Sequence, residues 1–446
     1  MPKIDRFLLG LIAAMSLHAF DDVAIVTMLP EVTRQLGGES WFGASFFAYL
    51  LASLISLVWA GHVTDKEGPR KPFLFGILVF ILGLSVGAYA INMPQFVLGR
   101  ALQGFGGGAI QAVVFSAINM AYDETGRKRA ISLLASAWIL PALLAPVIAG
   151  YITETWDWHW VFLGMIPLAI VVCITTERQL GALNRQQDLT SSVAVDSDNA
   201  LVFTTLRMTL GIGVFLAGLN WFTHSWALVF FVITGPLLFV KPLLSLFPRG
   251  ILLAKPGLSA ALVLKGLLVY ACIGSEAFVP VFLTNIHQYT AFEAGSVVTS
   301  GAATWILATW LYEAQGDRFT VRTLLSFSSA LLFSGLLLLM IILFVLKVPY
   351  LVYLAWAVVC FGMGMAYAIA IAEAMKFTGK GNEGATATGA GMVDAIGFSF
   401  ASGIGGAVLN STRISGWPLA DSIQLIWIIN AFVAFLAFYI SASRFK

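Results

Sequence analysis

The chain has 446 residues; 59% are hydrophobic, only 11% are charged, and the mean hydropathy is +0.89. A soluble domain carries about 25% charge, so these figures exclude a soluble globular protein and a disordered chain. The three cysteines (Cys173, Cys272, Cys360) each fall inside an apolar run, which excludes a disulfide scaffold, and the 42 Gly and 15 Pro suit transmembrane helices, which tolerate both.

A helix needs about 20 apolar residues to cross the hydrocarbon. Runs bounded by charges, Gly/Pro and polar clusters predict six spans, at 7–33, 41–62, 72–91, 94–121, 130–153 and 159–176. The first run is too long for a cleavable signal peptide, and Asp21 and Asp22 sit within it. A polar stretch from Glu177 to Asn199 reads as a soluble loop. Two more runs follow at 201–222 and 226–246, with a re-entrant or interfacial hairpin as the alternative reading of that pair. Six further spans fall at 256–286, 294–312, 323–346, 349–376, 385–409 and 419–441. The expectation is an all-α membrane protein of 14 spans: a six-helix bundle (1–176), a cytoplasmic loop (177–200), two extra central helices (201–250) and a second six-helix bundle (251–446).

Lysine and arginine set the orientation. With the N-terminus in the cytoplasm, 19 of the 25 bases fall in cytoplasmic segments or span ends. Three fall outside (Arg34, Lys347, Arg413) and three within spans (Arg100, Arg207, Lys265). Both termini are therefore expected in the cytoplasm. Trp41, Trp156, Trp158, Trp160, Trp221, Trp226 and Trp417 lie at predicted outer ends and read as interfacial anchors.

The loop Gly61-His62-Val63-Thr64-Asp65-Lys66-Glu67-Gly68-Pro69-Arg70-Lys71 is echoed by Gly316-Asp317-Arg318-Phe319-Thr320-Val321-Arg322. Both place an acid, a base, then Arg five residues after the acid, at the same point of each bundle. This points to two halves related by duplication. Gly61 to Lys71 resembles the loop signature of the major facilitator superfamily, Gly, three residues, Asp, two residues, Gly-x-Arg-Lys. Leu98 to Gly108, containing Arg100-Ala101-Leu102-Gln103-Gly104-Phe105-Gly106, resembles the fourth-helix signature of its drug–proton antiporters. Asp21, nine residues before Pro30, is similar to the first-helix pattern of the 14-span branch, with Val23 and Val26 where polar residues are usual. Ala145-Pro146-Val147-Ile148-Ala149-Gly150 resembles the fifth-helix antiporter signature with two Gly replaced by Ala. The resemblance implies the major facilitator fold, and cytoplasmic gate pairs formed by Asp65, Arg70 and Lys71 with Asp317 and Arg322.

An ionisable group at membrane depth is costly and is a functional candidate by default. Asp21 and Asp22 point about 100° apart on a helix, so one of them is expected to pair with Arg100; a static structural pair is the alternative. Lys265 and Glu276 are three turns apart on one helix face, about 16 Å, and both are expected at the central cavity. Glu276 is the better proton or cation site, and Lys265 a counter-charge or anion contact. Asp394, after the approach Gly384-Ala385-Thr386-Ala387-Thr388-Gly389, is a secondary coupling candidate. His18 lies one turn before Asp21 and reads equally as a proton relay or a packing residue. Glu373 and Lys376 read as a simple helix pair. Phe20, Trp138, Trp305 and Met363 are candidates for an apolar cavity lining.

The scattered His and Cys support no metal site, Gly106-Gly107-Gly108 lacks the Lys-Ser/Thr of a phosphate loop, and no cofactor or nucleic-acid partner is expected. The functional expectation is a monomeric, proton-coupled multidrug exporter in the cell (inner) membrane, exchanging protons for amphipathic, cationic small molecules across the lipid bilayer. Alternatives are a lipid, siderophore or metabolite exporter, a proton symporter, a membrane-embedded enzyme and a non-transporting sensor. The enzyme lacks a nucleophile–base motif here, and the sensor would not need the paired loops.

Overall fold

The computed structural model describes residues 6–190, 199–223, 225–377 and 383–445. Lys3, Lys380, Lys446 and residues 191–198 of the central loop lie outside the described residues, as do the side chains of Lys128, Arg185, Asp188, Asp317, Gly384, Ala385 and Ala387. The described chain is helical and contains no strand. In order it forms α1 (Arg6–Leu36), α2 (Phe42–Glu67), α3 (Arg70–Ala88), α4 (Met93–Ala121), α5 (Glu124–Thr155) and α6 (His159–Thr190). The central pair is α7 (Asn199–Trp221) and α8 (Ala227–Leu246). Then come α9 (Leu258–Glu276), α10 (Val279–His287), α11 (Ala291–Gln315), α12 (Val321–Met340), α13 (Val352–Lys376), α14 (Glu383–Ile414) and α15 (Leu419–Arg444).

Thirteen described stretches are long and apolar enough to cross a membrane, with α9 and α10 together making one. Helix α11 is the fourteenth span: its 25 residues reach as far, but Glu293, Ser296, Thr299, Ser300, Thr304 and Glu313 dilute its hydropathy. The extra pair is two full-length helices, not a hairpin at the surface. Arg6, Arg70, Arg322 and Arg444 fall at one end of the bundle, the basic face; the other end is the far face.

Small residues set the packing, since apolar area alone does not drive helices together in lipid. On α4, a Cβ at Gly104 would lie 2.1 Å from the Tyr49 carbonyl oxygen, and one at Gly108 would lie 2.2 Å from that of Ser53. Backbone meets backbone there, and α2 and α4 cross closely. Helix α7 lies on the seam between the halves, against α2 and α14. Asn220 Nδ2 donates to the Gly403 carbonyl (2.9 Å), and Asn410 Nδ2 donates to the Asn220 carbonyl (2.6 Å). Helix α8 stands outside α7 with Phe230, Ile233 and Leu237 exposed to lipid.

Three findings differ from the sequence reading. Helix α6 runs on to Thr190, so residues 177–190, read as loop, are helical. They are polar but rich in good helix formers, and Leu180 is fully buried. The ninth span breaks after Glu276, because Pro280 has no N–H to offer the carbonyl four residues back. Trp158 is not an anchor: it is fully buried on Phe96 and Phe162, and its indole N–H donates to Gln35 Oε1 at 2.8 Å.

The extension of α6 braces the α2–α3 turn. The Arg70 guanidinium pairs with the Glu177 carboxylate. Asn184 accepts the Arg70 backbone N–H (3.2 Å) and donates to the Glu67 carbonyl (2.9 Å) across Gly68, whose φ of +82° suits glycine. The ion pair is half exposed, so Glu177→Ala is expected to cost about 0–1 kcal/mol. Asn184→Ala, which strips two backbone groups of partners, should cost about 1–3 kcal/mol. Denaturant titration of the purified protein in detergent checks this; Glu177→Ala as the costlier change would contradict it.

Candidate transport site

Two buried clusters and one pair of acids hold the chemistry at mid-depth. In the first half, α1 carries His18 and Asp21 three residues apart, on one face. Arg100 and Gln103 have the same spacing on α4. Arg100 Nη1 donates to Asp21 Oδ2 at 3.0 Å, and both side chains are 1% exposed. The same nitrogen lies 2.6 Å from Gln103 Oε1. Gln103 is held in that orientation because its amide N–H donates to the Gly83 carbonyl on α3 (3.2 Å). The guanidinium sits 4.2 Å from the centroid of the Tyr49 ring, and the Tyr49 hydroxyl is 2.8 Å from His18 Nδ1. His18 packs edge-on against Trp138 at 5.7 Å. A cation over an aromatic face in a desolvated site gains about 2 kcal/mol. Asp21 Oδ1 is buried with no hydrogen-bond partner among the described residues. Of the two adjacent acids, Asp21 is therefore the one paired with Arg100.

The second half holds a comparable cluster. Lys265, 2% exposed, pairs with the Asp394 carboxylate, and its Nζ donates to the Ala390 carbonyl at 2.8 Å. The Tyr367 hydroxyl donates to Asp394 Oδ2 (2.8 Å), while the Tyr367 ring lies 4.6 Å from Lys265 Nζ. Trp305 packs edge-on against Tyr367 at 5.4 Å. Asp394 Oδ1, like Asp21 Oδ1, is buried without a hydrogen-bond partner among the described residues. Each half thus carries a buried cation over a tyrosine ring, paired with an aspartate that has one unsatisfied oxygen. The helices differ: acid on the first and base on the fourth helix in one half, base on the first and acid on the fifth in the other. Lys265 is therefore not an open cavity contact beside Glu276; it is engaged by Asp394.

The remaining acids, Asp22 on α1 and Glu276 at the end of α9, are half-buried, and neither makes an ion pair or side-chain hydrogen bond among the described residues. They come from different halves, and the charge of Asp22 reaches Glu276. Pro280 has no N–H to donate to the Glu276 carbonyl. Phe20, Trp138 and Trp305 are half-buried. Met363 is fully buried in the core and lines no open space, a correction to its reading as a cavity residue. Glu373 and Lys376 form a helix pair at 2.5 Å.

At the basic face, Arg70 is bound to Glu177 of its own half and Lys71 to Glu67 (2.8 Å). Asp65 and Arg322 are exposed, and the Asp317 side chain lies outside those described. At the far face the halves meet backbone to backbone. A Cβ at Gly43 would lie 2.5 Å from the Ser402 carbonyl oxygen, one at Gly150 2.5 Å from that of Ala291, and one at Gly295 2.3 Å from that of Pro146. The Ala145–Gly150 motif is thus a contact between α5 and α11. Toward the basic face, Gly61, Gly389 and Gly391 each front open space. Among the described residues no group of three or more His, Cys, Asp or Glu is placed to hold a metal.

The description Major Facilitator Superfamily matches residues 11–275, well over half of the chain. The chain belongs to the Major Facilitator Superfamily. It is a multi-pass membrane protein of a transporter superfamily, not an enzyme. Among its relatives, the "Multidrug transporter protein MdtP" of Bacillus subtilis (strain 168) is 27% identical over 303 residues, covering 65% of this chain and 54% of that one. "Multidrug resistance protein 3" of the same organism is 23% identical over 344 residues, covering 74% and 65%. The chain spans between half and two thirds of the length of these curated relatives. Among solved structures, the "POT family transporter PepTSo" superposes with a TM-score of 0.69 at 14% identity, covering 99% of this chain and 98% of that one. At that identity the likeness speaks to the fold.

Tyr49 and Tyr367 escaped the sequence reading because they carry no charge, and Gln103 was read as part of the fourth-helix signature without a role of its own. The Lys265–Asp394 contact spans 129 residues with no local signal. Lys265→Ala leaves a half-buried Asp394 uncompensated, and because removal of one partner of a fully buried pair costs about 3–5 kcal/mol, the partial exposure puts the expected loss at about 3 kcal/mol or less. Lys265→Met with Asp394→Leu should recover most of that loss. Unfolding of the single and double variants in detergent checks it, and a double variant no better than Lys265→Ala would contradict the pairing.

Proposed function

We propose that the protein is a proton-coupled exporter of amphipathic, cationic small molecules, working by alternating access in the cell membrane with its basic face and both termini cytoplasmic. The observation that carries this is a set of two acids from opposite halves, Asp22 and Glu276, that make no ion pair among the described residues, with the charge of Asp22 felt at Glu276, beside the buried Arg100–Asp21 pair. Two nearby carboxylates attract either protons or one lipophilic cation, and the two occupants exclude each other. A proton on Asp21 removes its attraction for Arg100, so proton binding at that pair and the tilt of α1 against α4 are linked. The contacts at Gly43, Gly150 and Gly295, with open space at Gly61, Gly389 and Gly391, support a conformation closed on the outside and open to the cytoplasm. In that conformation Arg70 is held by Glu177, free of the gate that the outward-open state would form with the second half. The relatives' names favour lipophilic drugs as substrates.

The test is purified protein in liposomes with an imposed pH gradient and a panel of lipophilic cations and anions. Substrate-dependent proton movement, lost in Asp22→Asn and Glu276→Gln, supports the reading. Cation flux indifferent to the pH gradient and to both variants would overturn it. In Glu276→Gln alone, flux of monovalent cations is expected to fall roughly 10-fold or more, the loss of about 1.4 kcal/mol of differential binding. Flux of an uncharged substrate should change less than twofold.

A further inference from the structure

We propose that the cleft between α8, α9 and α14 is a binding site for an anionic phospholipid of the leaflet at the basic face. The cleft opens toward lipid and has a volume of about 300 Å³. Its walls are apolar, among them Leu243, Phe247, Leu262, Ile396 and Phe400, with Tyr270 as the polar exception. It runs from Phe247 and Ile251, at the basic end of α8, along α9 to Tyr270 and along α14 to Ile404. The stretch from Leu262 to Tyr270 climbs about 12 Å and that from Val393 to Ile404 about 16 Å. One leaflet of a 30 Å hydrocarbon core is about 15 Å deep, so the cleft matches the reach of one acyl chain.

Charge selects the occupant. Residues 199–275 contain Arg207, Lys241, Arg249, Lys255 and Lys265 and not one acid. Lys265 is taken by Asp394 on the inner side of the same helix crossing. Lys241, Arg249 and Lys255 are exposed, lie within four residues in sequence of the lining residues Leu243, Phe247 and Ile251 at the basic end of the cleft, and form no ion pair among the described residues. Lys241 lies within α8, and its stem can carry the ammonium out to the interface. The link between α8 and α9 turns through Gly250 at φ +92°, and the Lys255 stem folds over it: a Cβ at Gly250 would lie 2.6 Å from Lys255 Cδ. Three unpaired cations at the interface, above an apolar slot one leaflet deep, are the complement of a phosphate headgroup with its tail. A lipophilic cation would be repelled at this mouth, which separates the cleft from the transport site.

The probe is an equimolar mixture of phosphatidylglycerol and phosphatidylethanolamine added to the detergent-purified full chain, with bound lipid counted by native mass spectrometry. The wild type is expected to retain phosphatidylglycerol over phosphatidylethanolamine by roughly tenfold or more. Lys241→Gln/Arg249→Gln/Lys255→Gln should bring that preference below about twofold, while Ile396→Trp, which fills the slot, should lower retention of both lipids. Arg6→Gln/Arg444→Gln removes charge from the same face and should leave the preference intact. If that control loses the preference as fully as the triple variant, the attraction is a general property of the basic face and the site is refuted. If Ile396→Trp keeps its lipid and instead loses lipophilic-cation flux, the cleft is a substrate portal and the assignment is equally overturned.

Discussion

Arg100→Ala is expected to abolish pH-gradient-driven flux and to destabilise the protein by about 3–5 kcal/mol. Removing the guanidinium strands Asp21, fully buried and already with one unsatisfied oxygen, and strips Tyr49 and Gln103 of the cation they orient. The two losses separate in a double variant. Arg100→Met with Asp21→Leu removes both charges and fills the site with apolar groups, and should restore most of the stability, because replacing a buried pair by well-packed hydrophobic residues is often near neutral. It should not restore coupling, because no titrating group is left at that contact. Arg100→Lys keeps the charge but loses the planar fork that serves Asp21, Gln103 and Ser45 at once, so partial coupling is expected. Unfolding in detergent and proton-coupled flux in liposomes read the two properties. Near-normal coupled flux in the double variant would reduce the pair to a structural brace.

Gly295→Leu should shift the protein toward the state open at the far face. The new side chain would enter the Pro146 carbonyl, whose position is fixed by backbone rather than by a flexible side-chain tip, and would also press on Thr27 Cγ2 of a facing helix. Overpacking costs about 1–3 kcal/mol, and here only the closed state bears it. A penalty of 3 kcal/mol changes the ratio of the two states by on the order of 100-fold. Spin labels on the far ends of α5 and α11 should report a longer distance, and transport should stop because one half of the cycle is unreachable. Gly164→Leu, a position that fronts open space, is the matched control. An unchanged distance in Gly295→Leu would mean that these helices do not part during the cycle.

The fourteen spans were legible because each is a long apolar run closed by charge, glycine or proline, and because the two matched loops recur at the same point of each six-helix set. The pairing of Arg100 with one of two adjacent acids was legible too, since so few charges lie at that depth. The choice of Asp21 over Asp22 depended on which way α1 faces α4, which periodicity alone does not fix. Lys265 was misplaced because its partner lies on α14, whose neighbourhood to α9 is a property of the assembled bundle. Trp158 misled for a related reason. An indole near a span end is as well satisfied by a glutamine side chain as by the interface, and Gln35 was far away in sequence. The break after Glu276 was the one local feature available but unused: Pro280 announces it.

The far face is shut by glycine against carbonyl, not by charge. Glu39 and Arg413 do meet there at 3.0 Å, but both are more than half exposed, and such a pair adds about 0–1 kcal/mol and fades in salt. Closure of that face has almost nothing for ions to screen. A cell moving between dilute and saline surroundings would find this seal unaltered, and variation in transport with ionic strength would have to arise at the loops of the basic face, where Arg70, Glu177, Lys71 and Glu67 stand in water.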